Sequence, residues 1–431
     1  MNYEEALSYI NDKNKYGSRL RLDSIRKLLE LLGDPHIGLK YIHIAGTNGK
    51  GSTASYIATM LKEAGYKVGL FTSPYLERFN ERISINGIDI PDERVAEITE
   101  RVKDKIQIML EEGYDHPTTF EIVTTIGFVY FREENVDYAV LEVGLGGRLD
   151  STNVIDESIL SIITTIDYDH MDVLGDTLGK IAYEKAGIIK ERGLVLSYPQ
   201  EKEAMEVIEK VCQEKNAELM VCPMESLELI KLTDQGSAFN FKFMDTIYKN
   251  VEISLLGQHQ VYNAALALTA ILLLRKKGLV NISDHEIKSG LKKAKWRGRL
   301  EVLNRNPLFV IDGAHNLQGV KTLADNLKRF KYDRLILGIG ILKDKDVEQM
   351  VKVIVPLADE VVVTEANIYR KMEAEELEKI INKYNGNTHV EKDIKKAIDK
   401  THELAKEDDL ILFAGSLYLI GDVRKIYNDN Y

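Results

Sequence analysis

The chain has 431 residues, a length for two or three domains at about 150 residues each, with 57 Lys and Arg against 68 Asp and Glu. The formal charge of −11 excludes a general nucleic-acid binder, which needs a basic stripe to neutralise phosphates. A small anionic ligand stays open, because a few local cations or a metal can dominate one cleft.

Met1 to Glu5 lacks the basic start and apolar core of a secretory signal. Residues 41–45 read as a buried strand, followed by a glycine loop and a helix over 52–64. Further strands are predicted at 67–71, 137–143, 159–166 and 194–197, and helices at 92–112, 118–134, 178–190 and 201–215. This alternation is the pattern of an α/β protein with a mainly parallel sheet. Over 227–256 the texture changes: Phe239, Phe241 and Phe243 alternate with Asn240 and Lys242, which predicts short antiparallel strands attached to the main sheet. Helices over 261–276 and 284–294 follow. The apolar run 264–274 is too short to span a bilayer, so no membrane partner and a cytoplasmic location are expected. After Lys295-Trp296-Arg297-Gly298-Arg299 a second alternating series begins, with strands at 308–312, 334–340, 360–364 and 410–414. A large domain over 1–296 and a smaller, Rossmann-like one over 297–431 are expected, with a ligand cleft between them. Cys212 and Cys222 have no metal or redox spacing and read as buried reduced thiols. The nine histidines include no HExxH pair, which argues against a zinc enzyme.

Ala45-Gly46-Thr47-Asn48-Gly49-Lys50-Gly51-Ser52 follows a strand and opens a helix, the setting of a phosphate loop. Glycines let successive N–H groups converge on phosphate oxygens, and the helix N-terminus adds positive potential. Lys50 would reach the β and γ phosphates, and Ser52 or Thr53 could ligate Mg²⁺. The common pattern GxxxxGK[ST] fails at Ile44 and Gly51. Glu142 ends an apolar strand, well placed to hold Mg²⁺ through oxygen. Read alone, His170, Lys185, Asn263, Arg299, Asp312, His315 and Ser416 are equally compatible with structural roles, and Thr118 with Glu121 reads as a helix cap.

GTNGKGS resembles the nucleotide loop of the Mur ligase superfamily in the form found in folylpolyglutamate and dihydrofolate synthases. Thr72-Ser73-Pro74-Tyr75-Leu76 resembles that family's TSPHL loop with Tyr75 for His, and Asn80-Glu81-Arg82-Ile83 its NERI element. The stretch from Leu141 to Asn153, Asp169-His170, Glu184-Lys185-Ala186-Gly187-Ile188, Asp312-Gly313-Ala314-His315-Asn316, Asp344-Lys345-Asp346 and Gly415-Ser416-Leu417-Tyr418 follow in family order. The resemblance implies a metal set of Ser73, Glu142 and His170, and a carbamylated Lys185. It implies ATP contacts from Thr47, Asn48, Gly49, Lys50, Gly51, Ser52, Asn263, Arg299 and Asp312. Thr118, Thr119, Phe120 and Glu121, with Leu149, Asp150 and Ser151, are expected to touch a pterin, and His315 and Ser416 the incoming L-glutamate.

The implied chemistry is carboxylate activation by ATP with two Mg²⁺ ions: an acyl phosphate forms and the α-amine of L-glutamate displaces phosphate. Lys50, Lys185 and His315 are the expected catalytic residues, folate or dihydropteroate the expected acceptor, and a monomer the expected state. A cell-wall ligase of the same superfamily would carry an additional N-terminal domain for which the residues before Tyr41 are too few. A nucleotide switch would turn over ATP without an acceptor.

Overall fold

A computed structural model describes residues 1–12 and 21–431. Two short helices not anticipated from the sequence, α1 (Tyr3–Asp12) and α2 (Asp23–Leu31), precede the first strand. Then come β1 (Tyr41–Ala45), α3 (Lys50–Glu63), β2 (Val68–Phe71), β3 (Ile83–Ile85), β4 (Ile88–Asp89), α4 (Asp92–Glu111), α5 (Thr119–Glu133) and β5 (Tyr138–Glu142). β6 (Leu160–Ile163), α6 (Met171–Leu174), α7 (Leu178–Ala186), β7 (Leu194–Ser197), α8 (Lys202–Glu214) and β8 (Glu218–Val221) complete the main sheet. Its strand order is β4-β3-β2-β5-β1-β6-β7-β8, with β3 antiparallel to both its neighbours and all other pairs parallel. β1 lies between β5 and β6, so the chain turns one way and then the other from it. The loop after such a central strand opens at a topological switch point, where α/β sheets bind ligands.

β9 (Leu227–Thr233), β10 (Gly236–Phe243) and β11 (Thr246–Ile253) form their own antiparallel sheet, not an extension of the main one. The alternation read from the sequence is real, but its apolar face packs on α9 (Gln258–Lys276) instead of pairing with β8. α9 is buried between this sheet and α3, which explains a helix apolar all round. Among the described residues no helix is long and apolar enough to cross a membrane. α10 (Asp284–Lys293) follows, packed on α3.

The remaining elements build a second sheet: β12 (Glu301–Arg305), β13 (Leu308–Asp312), α11 (Leu317–Leu327), β14 (Leu335–Ile339), α12 (Val347–Ile354), β15 (Glu360–Val363), α13 (Ala374–Ile381), β16 (Thr388–Val390), α14 (Ile394–Leu404), β17 (Leu410–Ala414) and α15 (Leu417–Asn430). Its order is β12-β13-β17-β14-β15-β16, parallel apart from the edge strand β12. β3, β4, β8, β12 and β16, and the short helix α6, were not predicted. β6 is shorter than expected because residues 164–167 leave the ladder to hold the phosphate loop. α7 is shorter because Gly187 caps it. Cys212 and Cys222 are free and buried, and burial pushes their thiols up to about 11 and about 12.

Candidate active site

Between β1 and α3 the chain turns on Gly46 (φ 155°) and Gly49 (φ 85°). A Cβ on Gly46 would stand 1.8 Å from Thr164 Oγ1, and one on Gly49 2.5 Å from Asn263 Oδ1, so both positions require glycine. Gly51 occupies the place of the usual Ser or Thr for a different reason: a Cβ there would lie 2.4 Å from Cζ2 of Trp296. The loop is fastened to the strand beside it. Thr47 N donates to Thr165 O at 2.7 Å and its Oγ1 to Asp167 O at 3.0 Å, while Thr164 Oγ1 donates to Asn48 O at 2.7 Å. Thr47, expected as a nucleotide contact, thus spends both donors on anchoring the loop. Lys50 Nζ donates to Gly46 O at 3.0 Å and Thr47 O at 3.1 Å. Burial lowers its pKa against the pull of Glu142 and Asp169. The Ser52 hydroxyl accepts from Gln260 Nε2 at 3.1 Å.

Glu142, at the carboxyl end of β5, is buried, and burial pushes its carboxyl above the usual range while Lys50 pulls it back. It accepts from Ser73 N at 3.3 Å, and no cation among the described residues lies within ion-pair distance of it. Ser73 Oγ accepts from Arg82 Nη1 at 2.9 Å. The loop carrying Ser73 is shaped by Glu81, whose carboxylate accepts from Leu76 N at 2.8 Å and Arg78 N at 3.2 Å. The hydroxyl of Ser73 and the uncompensated carboxylate of Glu142 are oxygen donors suited to a divalent cation. His170 (φ 49°) lines the same cavity with its side chain 42% exposed, and burial lowers its pKa. Lys185 Nζ donates to Gly46 O at 2.9 Å. Burial, with Lys50 nearby, pushes it down to about 7.

The second sheet supplies the opposite wall. Asp312 ends β13 and accepts from Leu300 N and Ala314 N, both at 2.8 Å. Arg299 lines the cavity nearby. His315 Nδ1 donates to Gly313 O at 2.8 Å; burial, then Arg299, pushes its pKa down to about 4, so it is a neutral group. Ser416 caps α15, its Oγ accepting from Tyr418 N at 3.2 Å. Asp169 ties the walls together: Lys345 Nζ lies 3.0 Å from one carboxylate oxygen, and Asn316 Nδ2 donates to the other at 3.3 Å. Asn263, whose Nδ2 donates to Gln260 Oε1 at 3.2 Å, faces the cavity from α9.

The residues expected to touch a pterin lie behind this cavity. Thr118 and Glu121 form a capping box: Glu121 N donates to Thr118 Oγ1 at 3.3 Å and Thr118 N to Glu121 Oε2 at 2.7 Å. Thr119 Oγ1 donates to Ile10 O at 3.1 Å, and Phe120 packs against Gly144 and Phe71. Asp150 accepts from Gly144 N, Leu145 N and Thr152, and Thr152 Oγ1 lies 2.8 Å from His43 Nε2. Ser151 is buried at the start of a single helical turn, and Leu149 precedes it half-buried. Asp150 braces the loop after Glu142, and the hydrogen bonds of all these groups would have to be exchanged for an acceptor to use them. Trp296, Gln260, Asn316, Lys345, Arg82 and His43 were not singled out from the sequence. Arg82, Asn316 and Lys345 sit inside the family motifs and Trp296 is the single tryptophan in a basic run, whereas nothing marks His43 or Gln260.

All these walls surround one cavity of about 1450 Å³. Similarity to known proteins covers the same elements. Residues 44–271 match the Mur ligase middle domain and 298–417 the glutamate ligase domain of Mur ligases. The dihydrofolate synthase/folylpolyglutamate synthase of Bacillus subtilis is 39% identical over 98% of both chains. The crystal structure of folylpolyglutamate synthase from Thermotoga maritima superposes with a TM-score of 0.87 at 35% identity, over 100% of this chain and 97% of that one. The Escherichia coli FolC structure, in complex with DHPP and ADP, gives 0.88 at 29% identity over 100% and 98%. Near-complete coverage and matching domains show that this chain belongs to the Mur ligase family, in its folylpolyglutamate synthase/dihydrofolate synthase branch.

Proposed function

We propose that the chain is an ATP-dependent ligase that joins L-glutamate to a folate-type carboxylate, using both tetrahydrofolates and dihydropteroate. The observation that carries this reading is Glu142 beside Ser73, a buried carboxylate with no ion-pair partner among the described residues and facing Lys50, in a cavity walled by both sheets. A carboxylate offers an amine no leaving group, so it must first be phosphorylated. Lys50 releases its two loop carbonyls to hold the γ-phosphoryl group, while the N–H groups at the start of α3 face the phosphates. Ser73 and Glu142, with His170 as a further ligand, would hold Mg²⁺, which would supply charge neutralisation during transfer. Asn263, Arg299 and Asp312 border the nucleotide from the two sides.

The acceptor carboxylate attacks phosphorus in line, releasing ADP and leaving an acyl phosphate. The α-amine of L-glutamate, placed by the wall that carries His315 and Ser416, then attacks the acyl carbon, and phosphate departs as the amide forms. Because His315 is neutral near pH 7, its free ring nitrogen can accept a hydrogen bond from the amine and orient it. The contact of Asp169 with Lys345 and Asn316 keeps the walls closed, which shields the acyl phosphate from water. Lys185, with its amine partly neutral at pH 7, has the nucleophilic form needed to add carbon dioxide with loss of one proton, and the resulting carbamate would offer oxygens to a second Mg²⁺. Residues 1–296 would carry activation and 297–431 amino-acid placement. One chain supplies every group named, which supports a monomer as the working unit.

The test is phosphate release with ATP, Mg²⁺ and L-glutamate, comparing dihydropteroate with tetrahydrofolate. Turnover requires both acceptor and glutamate, and Lys50→Ala abolishes it with either acceptor. Hydrolysis of ATP at the same rate without acceptor would refute the ligase reading.

A further inference from the structure

The turn that carries Ser73 is shaped by one domain and gripped by the other. On the side of the main sheet Glu81 folds it, accepting from Glu77 N at 3.2 Å as well as from Leu76 N and Arg78 N. The far side of the turn faces α15. Leu76 packs against a cluster of buried side chains of the second domain that includes Leu419, Ile420 and Val423 of that helix. At Gly421 the two backbones touch. A Cβ there would stand 2.0 Å from Leu76 O, so this point of α15 accepts no larger residue unless the turn moves away.

One helical turn further along the same face, Arg424 closes the contact with charge. Its Nη1 donates to Glu77, and its Nε to Glu301 Oε1 at 2.8 Å. Glu301 is itself fixed, its other oxygen accepting from Gly298 N at 2.7 Å. The side chains of Arg424 and Glu77 are each 16% exposed and that of Glu301 21%, so loss of the guanidinium would strand two shielded carboxylates. At its other end α15 starts from Ser416, in the wall expected to hold the amino acid. From Ser416 to Arg424 the helix rises about 12 Å, so one rigid element reaches from that wall to the turn of Ser73.

We infer that Gly421 and Arg424 are positioning residues for the metal site, through which α15 holds the turn from which Ser73 meets Glu142. This rests on the metal set of the ligase reading. Two hydrogen bonds within the first domain, at Ser73 Oγ and Ser73 N, define one end of the turn, and α15 defines the other. Leu76 follows Ser73 closely in the chain, and one carboxylate binds the N–H groups from Leu76 to Arg78. A displacement at Leu76 is therefore passed on to Ser73 instead of being absorbed. Without α15 the turn loses its second support, and the two oxygen donors lose their common focus. The cation is held firmly only when the domain that receives the amino acid is seated against the one that binds ATP.

The experiment uses Mn²⁺ as an oxygen-ligated probe of the Mg²⁺ site in the complex of the protein with the ATP analogue AMPPCP. Electron paramagnetic resonance reads Mn²⁺ affinity, and calorimetry reads AMPPCP affinity in EDTA. Expected is a loss of Mn²⁺ affinity of about tenfold in Arg424→Gln and in Gly421→Ala, with AMPPCP binding in EDTA within about twofold of the wild type. Arg424→Lys keeps a cation between Glu77 and Glu301 and should stay within about threefold of the wild type. Unchanged Mn²⁺ affinity in folded Arg424→Gln, an equal loss of metal-free AMPPCP binding, or a Lys variant no better than the Gln one would overturn the inference. Unfolding of all three variants would overturn it too, by assigning the contact to stability alone. A wild type whose AMPPCP complex binds no Mn²⁺ would instead overturn the metal set of the ligase reading.

Discussion

Gly51 offers the sharpest check on the architecture of the phosphate loop. The common pattern has a hydroxyl residue here, yet a Cβ would approach Cζ2 of Trp296 to 2.4 Å, about 1 Å inside ordinary carbon contact. The ring has little freedom to retreat, since Lys295 next to it is held to Ser55. In Gly51→Ala the clash is therefore shared between the indole and the loop. Overpacking of this kind costs about 1–3 kcal/mol in stability. A loop displaced by about 1 Å loses roughly 100-fold in turnover. Trp296→Ala is itself destabilising, by about 3 kcal/mol, because it empties a packed site. The double variant should recover about 1–2 kcal/mol relative to the sum of the single changes, because the methyl then fills space the ring has left. Denaturant unfolding of the four proteins, paired with phosphate release, measures both terms. Trp296 is the sole tryptophan, so its fluorescence on ADP addition reports the same contact directly in the wild type and in Gly51→Ala. A fully stable and active Gly51→Ala protein, or strictly additive effects, would refute the explanation for the missing hydroxyl.

Lys345→Met should cost about 3 kcal/mol, since it strands the nearly buried Asp169, and should raise KM for ATP by loosening the two walls. Burial pushes the Asp169 carboxyl up, but Lys345 and His170 outweigh it and the net shift is downward. The contribution is fully present above the unfolded value near 4 and is lost as pH falls through the depressed folded value. Wild-type and Lys345→Met stabilities should thus converge in acid, as followed by urea unfolding against pH. For Lys185 the folded pKa is lowered to about 7, so the unfolded chain binds more protons between about 7 and 10. Wild-type stability should rise relative to Lys185→Met across that window, by up to about 1.4 kcal/mol per pH unit, and a flat difference would count against the buried amine. Thr118→Ala should lose about 1 kcal/mol by breaking the capping box of α5, measured by thermal unfolding. A drop in acceptor binding without loss of stability would return that segment to the substrate.

The sequence by itself determined the α/β alternation, the strand-loop-helix of the phosphate site and the ordered motifs that place the chain in its family. These signals are local: a buried strand is a run of apolar residues, and a glycine turn is a matter of backbone angles. β13 and β17 were readable to the residue because each is an apolar run closed by turn-forming residues, Asp312-Gly313 and Gly415-Ser416. Tertiary structure alone decided where 227–256 went, since an apolar strand face does not say whether it will meet a helix or a sheet edge. It alone showed that Thr47 anchors its loop and that Trp296 is the reason for Gly51. Each of those facts depends on a partner far along the chain, Trp296 being hundreds of residues from the loop it touches. Only the folded chain brings such pairs within a few ångströms, where hydrogen bonds and packing assign each side chain its task.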